Sequence, residues 1–327
     1  MNKKERVDAA VRGKPVDRVP AMFSLHFLEK DYFGKNAIEA HRSFYKETDV
    51  DILKVMNENK FTTDVSISVP GDWKKVRPIT GKEPFVQDQI DIIKALADEF
   101  GDETYLFTTI HGAFASAFHA TNDKDGNLAH GDKVTAHLKE KPEDVEPALR
   151  LIAESIALFT QLALEAGSHG IYYAALGAEK YRFSKEMYNQ YIKPNDLIIL
   201  EAAKQAPAGT ILHMCKDQLN IEVYKDYPGE IVNWAVHEQN IGLTEGKELF
   251  NRTVLGGFDD RSGLLVDGTK EAIEAEIGAI IEEMGTEQFI LGADCTLPTD
   301  ISYERIRWVT DSLKSMEQTG KFAVFSK

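Results

Sequence analysis

A chain of 327 residues with 43% hydrophobic residues holds enough apolar material for two average domains or for one large α/β barrel. Its net charge of −15 argues against nucleic-acid and anionic-membrane partners, which need a basic face, and describes an acidic enzyme. The charged start, Met1-Asn2-Lys3-Lys4-Glu5-Arg6, has no apolar signal core and no stretch reads as long enough to cross a bilayer, so a cytoplasmic protein is expected.

In chain order, residues 3–12 read as a short helix stopped by Gly13-Lys14-Pro15, and residues 21–25 as a first buried strand with His26 at its carboxyl end. A helix over 37–47 leads to a second strand over 50–55, followed by the polar Met56-Asn57-Glu58-Asn59. Residues 62–79, with β-branched residues alternating around Pro70-Gly71 and Trp73, read as an inserted hairpin outside the alternation. The helix over 86–100 stops at Gly101, a third strand over 105–110 delivers His111, and residues 120–141 read as a loop or helix hairpin. A long helix over 142–166 closes at Gly167, and a fourth strand over 170–175 leads to Glu179. The next helix, over 184–206, contains Pro194, which should kink it.

The fifth strand ends Ile211-Leu212-His213-Met214-Cys215. Residues two apart in an extended strand share a face, so His213 and Cys215 project together while Met214 turns away. A sixth strand over 230–236 ends in His237, and a seventh over 253–257 leads to Asp259. The helix over 269–284 sets Ile273, Ile277, Ile280, Ile281 and Met284 at helical spacing. An eighth strand over 288–291 runs into Cys295, and an amphipathic helix over 303–313 follows. Strand and helix alternating eight times predict a TIM (β/α)8 barrel, a single domain over residues 1–327 with an amino-terminal helix and the inserted hairpin near 62–79.

Active sites of such barrels lie at the carboxyl ends of the strands. His26, Asn57, Glu58, His111, Glu179, His213, Cys215, His237, Asp259 and Cys295 all fall there, although polar loops begin at strand ends in any barrel. His213, Cys215 and Cys295 make a soft nitrogen and sulfur set that suits zinc, and three protein ligands leave the fourth position open, as in catalytic zinc sites. The competing reading takes His213 as a satisfied core histidine and both cysteines as small buried hydrophobes. A reducing cytosol disfavours a Cys215–Cys295 disulfide.

Four stretches carry a likeness: GKPVDRVP at 13–20, LHMC at 212–215, VLGGFDDRSGLLVDGT at 254–269 and FILGADCTLPTDISYERI at 289–306. Over nearly its whole length the chain resembles the uroporphyrinogen decarboxylase superfamily. Its corrinoid-dependent methyltransferase branch carries a zinc motif of His-x-Cys, a long gap, then Cys, which falls here on His213, Cys215 and, 80 positions later, Cys295. The resemblance implies Zn2+-dependent methyl transfer to or from the cobalt of a corrinoid such as methylcobalamin, usually carried on a separate small protein that docks over the barrel mouth. Zinc then either presents a thiol acceptor such as coenzyme M as its thiolate or polarises the leaving atom of a methyl donor such as a methyl ether. Under this reading Glu179 is a candidate fourth ligand that substrate displaces. His237 and His111 are candidates to hydrogen-bond the substrate or donate a proton, and His26, Asn57, Glu58 and Asp259 are candidate substrate-binding groups.

The decarboxylase branch binds an octa-carboxylate porphyrinogen with an arginine-rich amino-terminal segment and an Asp after an early strand. Here Pro20 is followed by Ala-Met-Phe-Ser-Leu-His-Phe, and the second strand ends in Met-Asn-Glu-Asn. A polyanion without its cationic clamp is poorly bound, which makes decarboxylation the second reading. A zinc-bearing accessory barrel without chemistry is the third.

Overall fold

The structure, a computed structural model, describes residues 1–121, 132–239 and 241–319. Among them, seven parallel strands form one sheet in which sequence order is spatial order: β1 (Ile52–Val55), β2 (Tyr105–His111), β3 (Gly170–Ala175), β4 (Thr210–Met214), β5 (Ile231–Trp234), β6 (Thr253–Phe258) and β7 (Phe289–Ala293). Each is short and mostly apolar, as strands covered on both faces must be. Around them lie α1 (Lys3–Val11), α2 (Gly34–Thr48), α3 (Pro84–Phe100), α4 (Ala113–Thr121), α5 (Lys133–Glu140), α6 (Pro142–Glu165), α7 (Lys185–Met187), α8 (Lys193–Ala203), α9 (Leu243–Phe250), α10 (Leu264–Asp267), α11 (Lys270–Met284) and α12 (Tyr303–Gln318). Every crossover advances one position round the sheet, the winding of the expected TIM barrel. Helix α11 shows how local signals set an element: the Thr269 hydroxyl caps the Ala272 N–H at 3.3 Å, the five predicted apolar residues are buried, and Gly285 with φ 72° ends it.

The first expected strand, residues 21–25, is extended but irregular. Met22 N–H donates to the Leu291 carbonyl, Leu291 N–H to Pro20 O and Asp51 N–H to Ala21 O, each at 2.9 Å, so the segment lies between β7 and β1 and completes the ring as an eighth stave. Pro20 has no N–H to offer, and the Ala21 N–H goes to Asp51 Oδ2 at 2.9 Å instead of a neighbouring carbonyl. Those two losses keep it out of a regular ladder.

Inside the ring, Met22, Ile52, Phe107, Tyr172, Ile211, Ile231, Leu255 and Ile290 pack with Val7 of α1 in a cluster separate from the larger core between sheet and helices. Helix α1 thus plugs the amino-terminal end, where Arg6 and Arg18 each bond the fully buried Asp51 carboxylate at 2.8 Å. The carboxyl-terminal end of the ring carries no such plug and opens into a cavity.

Residues 62–79 form no hairpin. They hold a 3-10 turn at Pro70–Lys75, in which Asp72 Oδ2 takes the N–H groups of Ser68 and Val69 at 3.0 and 3.1 Å, donors that a ladder would need. Trp73 is buried and donates from Nε1 to His137 Nδ1 at 3.1 Å, and Ile79 N–H reaches Ser155 Oγ at 3.2 Å, so the insertion lies on α5 and α6. The helix expected over 184–206 is split into α7, a π turn at Tyr188–Ile192 and α8, because Pro194 lacks an N–H and crowds the carbonyl four residues back. Of the loop or hairpin expected over 120–141, residues 122–131 lie outside the described residues, and the rest contains α5. Helix α6, by length and composition, is apolar enough to cross a membrane, contrary to the expectation that no stretch is; half of its most apolar window is buried in the fold.

Candidate metal centre

Strand β4 delivers two of the three expected ligands. His213 stands in register between Ala174 of β3 and Asn233 of β5, and the ladder continues past the strand, with Cys215 N–H donating to Ala175 O at 3.2 Å. Extended backbone through this point keeps His213 and Cys215 on the inner face, while Met214 packs into the outer core. Cys295 arrives on the loop after β7 and sets its Sγ 3.4 Å from His213 Nε2. One ligand atom from each of the three lies within 4.8 Å of the others, and among the described residues this is the only such group. Ligand atoms around a tetrahedral zinc with bonds of about 2.0–2.3 Å sit roughly 3.3–3.8 Å apart, so the trio fits that ion.

The histidine is held by an asparagine whose orientation is dictated by its surroundings. Asn233 Nδ2 donates to the carbonyls of Leu255 at 2.9 Å and Ala293 at 3.1 Å, which leaves Oδ1 facing His213. That oxygen only accepts, so the 2.5 Å contact to His213 Nδ1 places the proton on Nδ1 and frees the Nε2 lone pair for a metal. The Tyr172 hydroxyl donates to the same oxygen at 3.1 Å, and its ring centroid lies 5.2 Å from that of His213. The hydrogen bond from Cys215 holds the Cys295 thiol well below its ordinary range, helped by His213, and drives Cys215 up in return.

Beside the trio lies a cavity of about 220 Å³, lined among others by His26, Lys54, Asn57, Lys60, Thr109, His111, His119, Tyr172 and Lys216. Of the expected site residues outside the trio, His26, Asn57 and His111 line it. Burial, reinforced by His119 and Lys60, pushes His111 well below the ordinary histidine range, so it is neutral at pH 7. Glu58 stands behind the wall: Oε1 meets His26 Nδ1, and Oε2 is 3.4 Å from Lys60 Nζ. Burial pushes its carboxyl up, but the hydrogen bond and charge of His26 outweigh that and hold it below the ordinary value.

The other three do not line the cavity. Glu179 is fully buried with Oε2 on the Gly177 N–H at 2.8 Å and Oε1 on Arg182 at 3.1 Å, so ligating a metal would require it to leave one of these contacts. Asp259 takes the N–H groups of Arg261 and Ser262 at 2.8 and 3.2 Å and the Ser262 hydroxyl at 2.7 Å, shaping its own turn. His237 sits on the rim, with its N–H and Nδ1 on Asp294 Oδ2 at 2.8 and 3.0 Å; that hydrogen bond raises it above the ordinary histidine value. Because Asp294 directly precedes Cys295, His237 braces the loop that carries this cysteine.

Lys54, Asn233, Tyr172, His119 and Asp260 escaped the sequence reading. Asp260, beside the selected Asp259, is the buried one, its carboxyl pushed up to about 7 by burial with Cys295 and Asp294 near. Lys54 and Asn233 had a local signal: each is the one strongly polar residue of a buried strand, Ile-Leu-Lys-Val and Ile-Val-Asn-Trp, two positions after an inward isoleucine.

A family model described as uroporphyrinogen decarboxylase (URO-D) matches residues 62–316. Methylcobamide:CoM methyltransferase MtbA of Methanosarcina mazei is 23% identical over 318 residues, covering 85% of this chain and 88% of its own. The MtbA of Methanosarcina acetivorans is 24% identical over 215 residues, 65% of this chain and 60% of its own, so the chain spans less than two thirds of that relative. Among solved structures, a methyltransferase from Methanosarcina mazei superposes with a TM-score of 0.75 at 16% identity, over 97% of this chain and 99% of that one. A B12-independent methionine synthase from a Shewanella species, in complex with selenomethionine, superposes at 0.62 and 10% identity over 95% and 100%. At these identities the solved structures establish the fold.

Proposed function

This chain belongs to the uroporphyrinogen decarboxylase (URO-D) family, and from that premise we propose that it is a zinc-dependent methyltransferase, moving a methyl group between a small molecule and the cobalt of a corrinoid. The observation that carries the reading is the His213, Cys215 and Cys295 trio with the Nε2 of His213 freed by Asn233. A family likeness by itself leaves both branches open. A porphyrinogen decarboxylase needs no metal and holds its substrate's acetates with an arginine-rich segment, whereas among the described residues the cations lining this cavity are Lys54, Lys60 and Lys216 and no arginine, and Arg6 and Arg18 are engaged with Asp51 at the opposite end. A volume of about 220 Å³ lies below the roughly 300–1,000 Å³ of sites for drug-sized ligands, which suits a small methyl donor or a small thiol acceptor. The names of the two MtbA relatives support the same branch.

In this reading His213, Cys215 and Cys295 hold zinc, which when bound supplies a Lewis acid for the atom that gives or takes the methyl group. Asn233 fixes the His213 tautomer, and His26 and the buried His111 face the small molecule as hydrogen-bonding groups. Glu58 anchors His26, and His237 with Asp294 steadies the Cys295 loop. The corrinoid arrives on a separate small carrier protein that docks over the carboxyl-terminal mouth, in the cytoplasm.

The test is a methylcobalamin assay on metal-loaded protein with a panel of thiols, and a cobalamin assay with methoxylated aromatics, each read from the cobalt spectrum. Demethylation or methylation that a chelator abolishes and zinc restores is the expected result. Metal-free protein that decarboxylates uroporphyrinogen would overturn the assignment.

A further inference from the structure

One buried acid lies outside the cavity and has no part in the methyltransferase reading. Asp196 of α8 is 1% exposed, and among the described residues it forms no ion pair; Lys193 of the same helix turns instead to Asp226 at 3.8 Å. The Tyr173 hydroxyl of β3 donates to Asp196 Oδ1 at 2.6 Å, and the Tyr227 and Tyr188 hydroxyls reach Oδ2 at 2.9 and 3.4 Å. All three tyrosines are fully buried. Burial pushes the Asp196 carboxyl up to about 6 against the pull of these hydrogen bonds, so it is still mostly charged at pH 7. Apolar side chains would fill this layer between sheet and helices without the cost of burying a charge.

The start of α4 is what this charge serves. The Gly112 carbonyl accepts the Ser116 N–H at 2.9 Å, which makes Gly112 the residue at the helix cap. It has no side chain, and Ala113, Phe114 and Ala115 of the first turn carry no polar side-chain atom. The first N–H groups of a helix need acceptors, ordinarily a Ser, Thr, Asp or Asn oxygen at the cap. Here the Ala113 N–H faces the Asp196 carboxylate and favours its charged form, as a helix amino terminus does. The approach is close: a Cβ on Gly112 would stand 2.8 Å from the Tyr173 hydroxyl and 3.0 Å from Asp196 Oδ1, so only glycine lets the carboxylate in. Helix α4 in turn walls the cavity. Phe118 and His119 line it from the helix, and His111 lines it from the strand end just before, its ring edge-on to His119 with centroids 4.8 Å apart.

We propose that Asp196 is a positioning residue, which caps α4 from a distant helix and thereby holds His111, Phe118 and His119 in place against the cavity. Tyr173, Tyr188 and Tyr227 hold the carboxylate at that spot. The assignment goes beyond the methyltransferase reading and does not rest on it, because the wall is set in the same way whatever the cavity takes.

The experiment compares the native chain with Asp196→Ala by hydrogen exchange and by NMR of histidine ring carbons. Amides of α4 should exchange about tenfold or more faster in the variant, while those of β1 and α2 stay near their native rates. The ring resonances of His111 and His119 should move, while those of His41 on α2 and His169 before β3 hold still. Asp196→Asn, which keeps an accepting oxygen, should restore much of the native pattern. If α4 exchanges at its native rate in Asp196→Ala, the proposal is wrong. It is equally wrong if exchange quickens alike in α4, β1 and α2, or if His41 and His169 shift as much as the cavity histidines, because Asp196 is then a filler of the core. Should Asp196→Ala fail to fold, Gly112→Ala decides, since its Cβ drives the carboxylate off the helix end: faster α4 exchange with a shifted His119 resonance is expected, and native behaviour of both would overturn the assignment. Zinc uptake enters none of these measurements, so failure of the methyltransferase reading leaves them intact.

Discussion

Replacing Asn233 by leucine, close in size, removes four hydrogen bonds at once: two donated to the Leu255 and Ala293 carbonyls at 2.9 and 3.1 Å, and two accepted from His213 and Tyr172 at 2.5 and 3.1 Å. The two effects separate by assay. For the metal, a histidine that loses its Nδ1 partner is free to take the wrong tautomer and to rotate, and changes of this kind lower affinity about tenfold to hundredfold, or about 1.4–2.7 kcal/mol. For the fold, the two stranded carbonyls and the tyrosine hydroxyl lie in buried surroundings, at about 1 kcal/mol or more each, so metal-free protein should lose roughly 2–4 kcal/mol. Competition with a chromophoric chelator measures the first, and urea denaturation of metal-free protein the second. Asn233→Asp keeps an acceptor for His213 but replaces the one nitrogen that makes both donations with an oxygen facing two carbonyls, so it should keep metal affinity better than Leu while losing at least as much stability. Zinc affinity of Asn233→Leu within twofold of the native chain would refute the claim that Asn233 sets the ligand's tautomer.

Loss of a direct ligand should be more severe: His213→Ala or Cys215→Ala, measured by metal analysis after dialysis, should lower zinc affinity by well over the hundredfold of an outer partner. Acid stability should follow Asp17, where burial raises the carboxyl but the Arg6 hydrogen bond and the amino terminus outweigh it and bring it to about 2 from 3.8. A depressed carboxyl stabilises fully above its ordinary value and loses that contribution as pH falls through about 4 towards 2. The denaturation midpoint of Asp17→Asn should therefore depend less on pH in that window than the native chain's, and equal dependence would sink the point. At Gly170 an added Cβ meets the Phe107 ring at 2.3 Å in the packed barrel interior, so Gly170→Ala should destabilise by about 1–3 kcal/mol in thermal or urea melts.

Period-two geometry made His213 and Cys215 legible as a pair before any fold was known, because alternation along one strand is a local property of the backbone. The same locality served α11, whose cap, apolar stripe and terminal glycine are contiguous, and the alternation that announced a barrel. It did not serve residues 62–79, where Asp72 and Pro70 divert the donors that the β-branched pattern seemed to promise to a ladder. Nor did it rank the strand-end residues. Asp259 and Asp260 are adjacent and chemically identical, yet one builds its own turn and the other is buried near Cys295, a choice made by the path of the loop. Likewise Glu179 differs from a ligand only in where Gly177 and Arg182 hold its oxygens. Asn233 and Lys54 became recognisable as parts of a site only once parallel register set Asn233 beside His213 and the closed ring brought Lys54 against Tyr172. Residue type and periodicity are inherited along one dimension of the chain; register and closure join positions far apart in it, so which strand-end groups converge was decided by the tertiary structure.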